Sequence, residues 1–183
     1  MDMEKRVLLV TGGSTGIGAE IVRLAAAKGW AVCINYRHSG EEAAKLADEI
    51  ASTGGEAIAV QADVSVEAEV MRLFQSIDQR WGRLDGLVNN AGILEKQCRV
   101  ESVTAERLLR VLSTNVIGTF VCCREAVLRM SQRHGGRGGA IVNVSSAASR
   151  LGAAGEYVDY AASKGAMDTL TIGLAAEVGG EGI

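Results

Sequence analysis

Proline is absent from all 183 residues, although average usage near 5% would place about nine in a chain of this length. Histidine is scarce. His38 and His134 stand among polar or glycine neighbours with no acidic or cysteine partner at ligand spacing, so neither is assigned a catalytic or metal-binding role. The four cysteines form no Cys-x-x-Cys pair. Cys33, Cys122 and Cys123 lie in apolar segments, where a free thiol behaves as a small hydrophobe, and buried reduced thiols are expected there. A basic excess is also missing: the net charge of -3 leaves no electrostatic footprint for nucleic acid or an anionic membrane. Residues 133–139 have the composition of an RGG tract but fall between a helical and a strand pattern, and read as a surface loop. No apolar run of transmembrane length is read. The four apolar residues after the charged start are too few for a signal-peptide core, so a cytoplasmic location is expected.

What is present is an alternation. Hydrophobic residues make up 48% and charged residues 22%, an ordinary balance for one folded domain. Strand-like apolar runs recur at 7–10, 31–35, 57–61, 86–89 and 140–144. Helical periodicity fills the gaps at 16–28, 41–53, 67–80, 105–133 (with a break near Thr114 left open) and 157–178. Strands alternating with helices imply right-handed crossovers and a parallel sheet covered on both faces. No linker, repeat or second domain interrupts residues 1–183.

Two local patterns carry chemistry. The first strand runs into Thr11-Gly12-Gly13-Ser14-Thr15-Gly16-Ile17-Gly18 and then an Ala-rich helix. Gly12 can take backbone angles closed to other residues, Gly16 lets the main chain approach a pyrophosphate, and Gly18 permits close helix packing, while the helix start offers free N–H groups to an anion. The spacing differs from Gly-x-Gly-x-x-Gly, and such a turn can also be only a tight connection. The second pattern is Tyr160-Ala161-Ala162-Ser163-Lys164, which on a helix stacks a phenol and an ammonium on one face. A neighbouring ammonium favours the phenolate and suits the hydroxyl to proton transfer. Tyr157 lacks this partner, since Ala161 stands four residues beyond it.

Taken together, the Thr-Gly-x-x-x-Gly-x-Gly turn, Asn89-Asn90-Ala91-Gly92, Asn115, Ser145-Ser146 and Tyr160-x-x-x-Lys164 resemble the short-chain dehydrogenase/reductase family, from about Lys5 onward. The resemblance implies a Rossmann-like doubly wound α/β domain that interconverts a carbonyl and a secondary alcohol by hydride transfer with NAD(P). Ser146 is then the serine that holds the carbonyl oxygen, with Ser145 a lesser candidate; Tyr160 is the proton donor, Lys164 its partner and the holder of the nicotinamide ribose, and Asn115 the support of a proton relay at a helix kink. Ser14, Thr15 and Ile17 belong with the glycines to the phosphate turn. Asp63 and Val64 after the third strand would meet the adenine, and Asn90, Ala91 and Gly92 the adenosine ribose and nicotinamide side; Asn89 is expected to brace the sheet. The resemblance also predicts chain beyond Ile183: further strands, a Pro-Gly turn and a substrate lid, which fits the lack of proline. A homo-oligomer, by resemblance a tetramer, is expected, because Val116, Phe120, Val127 and Met130 on one helix and Met167, Leu170 and Leu174 on another put apolar residues on more than one face.

Cofactor choice turns on the end of the second strand, which reads Asn35-Tyr36-Arg37. An acidic residue there would accept from the ribose and repel a 2′-phosphate. None is present, and Arg37 can pair with a phosphate through a charge-assisted fork, so NADP is expected. Thr15, where NADP-using relatives place a second basic residue, keeps NAD open, and Arg37 can also be read as a solvated loop cation. Against an oxidoreductase stands a non-catalytic dinucleotide-binding or regulatory protein, which the complete Ser146, Tyr160 and Lys164 set argues against.

Overall fold

Alternation along each strand decides which face a residue covers, and in this chain both faces are apolar. The structure is a computed structural model that describes residues 5–183. Its strands are β1 (Val7–Val10), β2 (Ala31–Tyr36), β3 (Glu56–Gln61), β4 (Gly86–Asn89) and β5 (Ala140–Asn143). They form one parallel sheet in the order β3-β2-β1-β4-β5, with Leu9 of β1 opposite Cys33 of β2 and Leu87 of β4. Val7, Leu9, Cys33 and Leu87 pack on one side with Phe74, Cys122 and Met130, while Leu8, Val10, Val32 and Ile34 pack on the other with Val22, Leu46 and Ile50. A sheet buried on both faces therefore needs continuous hydrophobic strands, which is what these segments supply. The order reverses between β1 and β4, and such reversals open a crevice at the carboxyl ends of the strands.

The crossovers carry α1 (Gly16–Ala27), α2 (Gly40–Ser52), α3 (Glu67–Trp81), α4 (Ala105–Leu112) and α5 (Gly118–Met130), and α6 (Ala148–Leu151) and α7 (Val158–Val178) follow β5. Thr104 caps α4 by accepting from the Arg107 N–H, and Gly82 ends α3 in the left-handed conformation that favours glycine. The long helical pattern over 105–133 is divided: residues Ser113–Ile117 form a π turn between α4 and α5, and a 3₁₀ turn follows over Gln132–His134. The N-cap of α3 is Val66 without a side-chain bond, and both donors of the preceding Ser65 turn back to Asp63 Oδ1.

Contrary to the sequence reading, the stretch Ala105–Met130 is long and apolar enough to cross a membrane by length and composition, with a mean hydropathy of 1.4 over its window. More than half of that window is buried inside the fold, as for a core helix. Cys33, Cys122 and Cys123 are buried free thiols, as expected, and burial pushes all three up, Cys123 to about 11.

Candidate active site

The glycine turn connects β1 to α1 at the crevice. Gly12 and Gly16 have φ of +58° and +55°, values that a side chain disfavours. A Cβ on Gly18 would lie 2.3 Å from the Gly12 carbonyl oxygen and 2.6 Å from Asn90 Nδ2, whereas one on Gly16 would meet nothing within 4 Å. Gly18 thus serves packing and Gly16 faces open space. Helices α2 and α3 carry acids in their first turns, but α1 has none, and its N-cap Thr15 makes no side-chain bond. The positive end of α1 is left for an anion from outside the chain, with Thr15, Gly16 and Ile17 exposed around it and Ser14 buried beneath.

Two buried residues that the sequence reading passed over brace this turn. Thr11 Oγ1 accepts from the N–H groups of Asn90 and Ala91, and Asn90 Nδ2 donates to the carbonyls of Thr11 and Gly12 at 3.0 and 2.9 Å. Asn35 accepts from the Gly12 N–H at 3.3 Å and donates to the Ala62 carbonyl at 3.0 Å. A polar residue closing the otherwise apolar run of β2 was the available signal.

Beyond Gly12 lies a cleft of about 150 Å³ lined by Arg37, Asp63, Val64, Ala91, Gly92 and Thr114 among others. The structure pairs two residues that the sequence treated separately: Arg37 Nε stands 2.8 Å from Asp63 Oδ2, with half of the Arg37 side chain exposed. Burial tends to raise the Asp63 carboxyl, but the Ser65 donors and the charges of Arg37 and His38 outweigh it and hold the group below the usual carboxylate range. Tyr36, which does not line this cleft, sets its ring against Gly40.

On the other side of the crevice, Asn115 is fully buried in the middle of the π turn. Its Oδ1 accepts from the Ile93 N–H at 2.8 Å, and its Nδ2 donates to the Ile93 carbonyl and to Ser163 Oγ, both at 3.0 Å. Its carbonyl accepts from Thr119 Oγ1 at 2.9 Å. Asn115 therefore ties the loop following β4 to α7. Asn89 bonds to Asn143 Oδ1 at 2.9 Å across β4 and β5, a brace within the sheet.

Lys164 is buried on α7, where its ammonium donates to the Val144 carbonyl at 2.7 Å and lies 5.7 Å from the centre of the Tyr160 ring. Burial lowers its affinity for the proton, an effect partly offset by Asp168. A Cβ on Gly92 would come within 3.8 Å of Lys164 Nζ and 3.4 Å of Asn115 Oδ1, so Gly92, Asn115 and Lys164 converge on one spot. The Val144 contact brings the chain after β5 to the same place. There the Ser145 and Ser149 hydroxyls hold the Asp168 carboxyl below its usual range, while Ser146 Oγ accepts from the Ala148 N–H at 3.2 Å. Tyr160 is half-buried, one helical turn before Lys164, and its carbonyl accepts from Ser163 Oγ at 2.7 Å. Ser163 was not singled out from the sequence, yet it links Tyr160 to Asn115.

A crevice at the reversal of a parallel sheet, with a glycine turn and an uncapped helix start, defines a dinucleotide-binding α/β protein. Comparison with known proteins narrows this. Residues 6–183 match the short chain dehydrogenase family, and the chain belongs to that family. It is 58% identical over 177 residues to "Uncharacterized oxidoreductase YgfF" of Escherichia coli (strain K12), covering 97% of this chain and 72% of that one. A solved short-chain dehydrogenase/reductase from Serratia marcescens BCRC 10948 superposes with a TM-score of 0.90 at 33% identity, over 99% of this chain and 71% of that one. A blue fluorescent protein from a metagenomic library, solved in complex with NADPH, also superposes with a TM-score of 0.90, at 34% identity over 99% and 72% of the two chains. The protein is an oxidoreductase of the short-chain dehydrogenase family, with a Rossmann-like doubly wound sheet.

Proposed function

We propose that the protein uses NADP(H) to interconvert a carbonyl and a secondary alcohol on a small-molecule substrate, with Tyr160 as the acid/base. The observation that carries this reading is the convergence of Gly92, Asn115 and Lys164 beside Tyr160 at the carboxyl edge of β4. The open space at Gly16 and the acid-free start of α1 fit a pyrophosphate, and the cleft beside Arg37, Asp63 and Val64 fits the adenosine end. Arg37, half exposed, has no carboxylate at position 35 or 36 to repel a 2′-phosphate, and a neighbour of similar fold binds NADPH. NAD remains the alternative cofactor.

When bound, the nicotinamide supplies or accepts the hydride. Ser146 donates to the carbonyl oxygen, with Ser145, whose hydroxyl helps to hold the Asp168 carboxyl below its usual range, the lesser candidate. Tyr160 gives its proton to the same oxygen as negative charge develops there. Lys164 places a cation beside the phenol and reaches the side of the crevice where Gly92 leaves room for a ribose. Asn115 holds the Ile93 loop and Ser163 so that this geometry persists, and stands next to any proton path from Lys164.

The test is reduction of a diketone by NADPH in the full-length protein. Tyr160→Phe should keep cofactor affinity and lose about 10²–10⁴-fold in turnover, the usual contribution of a general acid. Lys164→Ala should lower both, and Tyr157→Phe neither. Near-normal turnover in Tyr160→Phe would refute the assignment.

Homo-oligomerisation, by family resemblance to a tetramer, belongs to the same proposal. Met130 and Met167 turn out to serve the chain's own core. Phe120, Val127, Leu128, Leu170 and Leu174 instead line an apolar groove of about 730 Å³ between α5 and α7, which a second subunit could cover.

A further inference from the structure

The first turn of α7 rests on a buried ion pair that the chemistry above does not use. Arg107 of α4 sends Nε and Nη2 to the two oxygens of Asp159 at 2.7 and 3.1 Å, and Nη1 to the Lys96 carbonyl at 2.6 Å. The Asp159 side chain is 2% exposed and that of Arg107 11%. Asp159 immediately precedes Tyr160 in the first turn of α7. The Arg107 bonds, against the opposing effect of burial, hold the Asp159 carboxyl below its usual range.

Replacing a buried pair of this kind with apolar side chains often costs little stability, so holding the fold together is a weak account of it. A bidentate fork does fix orientation. Here it fixes Asp159, the residue next to Tyr160 in the chain, and Ser163 Oγ, backed by Asn115, holds the Tyr160 carbonyl. The residues flanking the phenol in the backbone are thereby held from α4 on one side and from the π turn on the other. Arg107 also reaches the loop after β4 through Lys96, and Cys98 N–H in that loop donates to the Glu156 carbonyl at 3.0 Å, just before α7.

We propose that Arg107 and Asp159 are positioning residues of the reaction, setting the direction of the Tyr160 phenol relative to Lys164 and the substrate carbonyl. The inference rests on the reading of Tyr160 as the acid/base. The test compares Arg107→Met/Asp159→Leu, which removes both charges together and strands neither, with Arg107→Lys, which keeps the charge but loses the fork.

The double variant should unfold cooperatively and bind NADPH within about threefold of the parent, while kcat falls about tenfold to a hundredfold, the scale expected for a misplacement near 1 Å. Arg107→Lys should give an intermediate kcat, again with NADPH affinity kept. A double variant with parental kcat overturns the proposal, as does a loss of kcat matched by equal loss of NADPH affinity, which marks a structural role only. If the double variant does not fold, Arg107→Lys decides: parental kcat overturns the proposal. Tyr160→Phe run alongside separates the two ideas. If it keeps turnover, the reading of Tyr160 falls; if it loses turnover while the double variant keeps it, only the positioning role falls.

Discussion

Gly18→Ala and Gly16→Ala should fail in opposite ways, although the two residues are neighbours in the same turn. At position 18 the added Cβ would stand 2.3 Å from a backbone oxygen of Gly12 and 3.0 Å from the Gly13 Cα, and neither can swing aside as a side chain could. Alanine gains about 0.8–1.0 kcal/mol of helix propensity over glycine. Overpacking against main chain costs about 1–3 kcal/mol and sometimes more, and a contact this short belongs at the upper end. A net loss of about 2 kcal/mol lowers the melting temperature of a domain this size by about 4–8 °C. At position 16 the Cβ meets nothing, so the cost is the positive φ alone, about 1–2 kcal/mol. That Cβ would occupy the space assigned to the pyrophosphate, and NADPH binding should suffer far more than stability. Thermal unfolding without cofactor and fluorescence titration with NADPH read the two effects separately. If Gly18→Ala melts with the parent, or Gly16→Ala binds NADPH as the parent does, the division of labour in the turn is wrong.

Further outcomes follow from other contacts. Arg37→Asp should invert the preference for NADPH over NADH: it removes a charged contact of about 1.5–3 kcal/mol and places a second carboxylate beside Asp63, so equal affinities before and after would refute the assignment. The Asp159 carboxyl is depressed in the folded protein; its stabilising contribution is full above the unfolded value near 3.9 and is lost as pH falls through the folded value. Asp159→Asn should therefore flatten the acid limb of stability against pH, and an unchanged limb would count against the pair's charge. Leu170→Glu in the groove between α5 and α7 should convert an oligomer to smaller species in sedimentation velocity, without loss of helix content.

The sheet was legible because apolar runs ending in glycine or polar residues set strand limits to within a residue, as at 86–89. The π turn was less so. Periodicity over 105–133 signals one apolar stripe, and only the poor fit of Asn115 hinted that the stripe is broken. The short α6 escaped because four residues make only about one turn, too few to show a repeat. Arg37 and Asp63 were each visible as candidates, but their pairing was not, since nothing local links residues 26 apart across β3. Thr11, Asn35 and Ser163 act by bonding to main chain, and sequence patterns single out groups that face a ligand. Arg107 and Asp159, 52 positions apart, left no local signal at all.

Five residues from Ser113 to Ile117 hold one more residue than an α-helix of the same rise would need. Each residue turns a helix by about 100°, so the surplus frees α4 and α5 to point their faces independently. Arg107 and Val111 of α4 face inward at the end of the fold near α7, while Cys122, Ala126 and Met130 of α5 cover the sheet. Deleting a single residue from this segment would restore a regular helix and still ruin the molecule, because no one rotation could satisfy both sets. The irregular turn is thus the joint that lets a single stretch of chain answer to two neighbours at once, and its length, together with the Asn115 it carries, is what drift in the sequence must preserve.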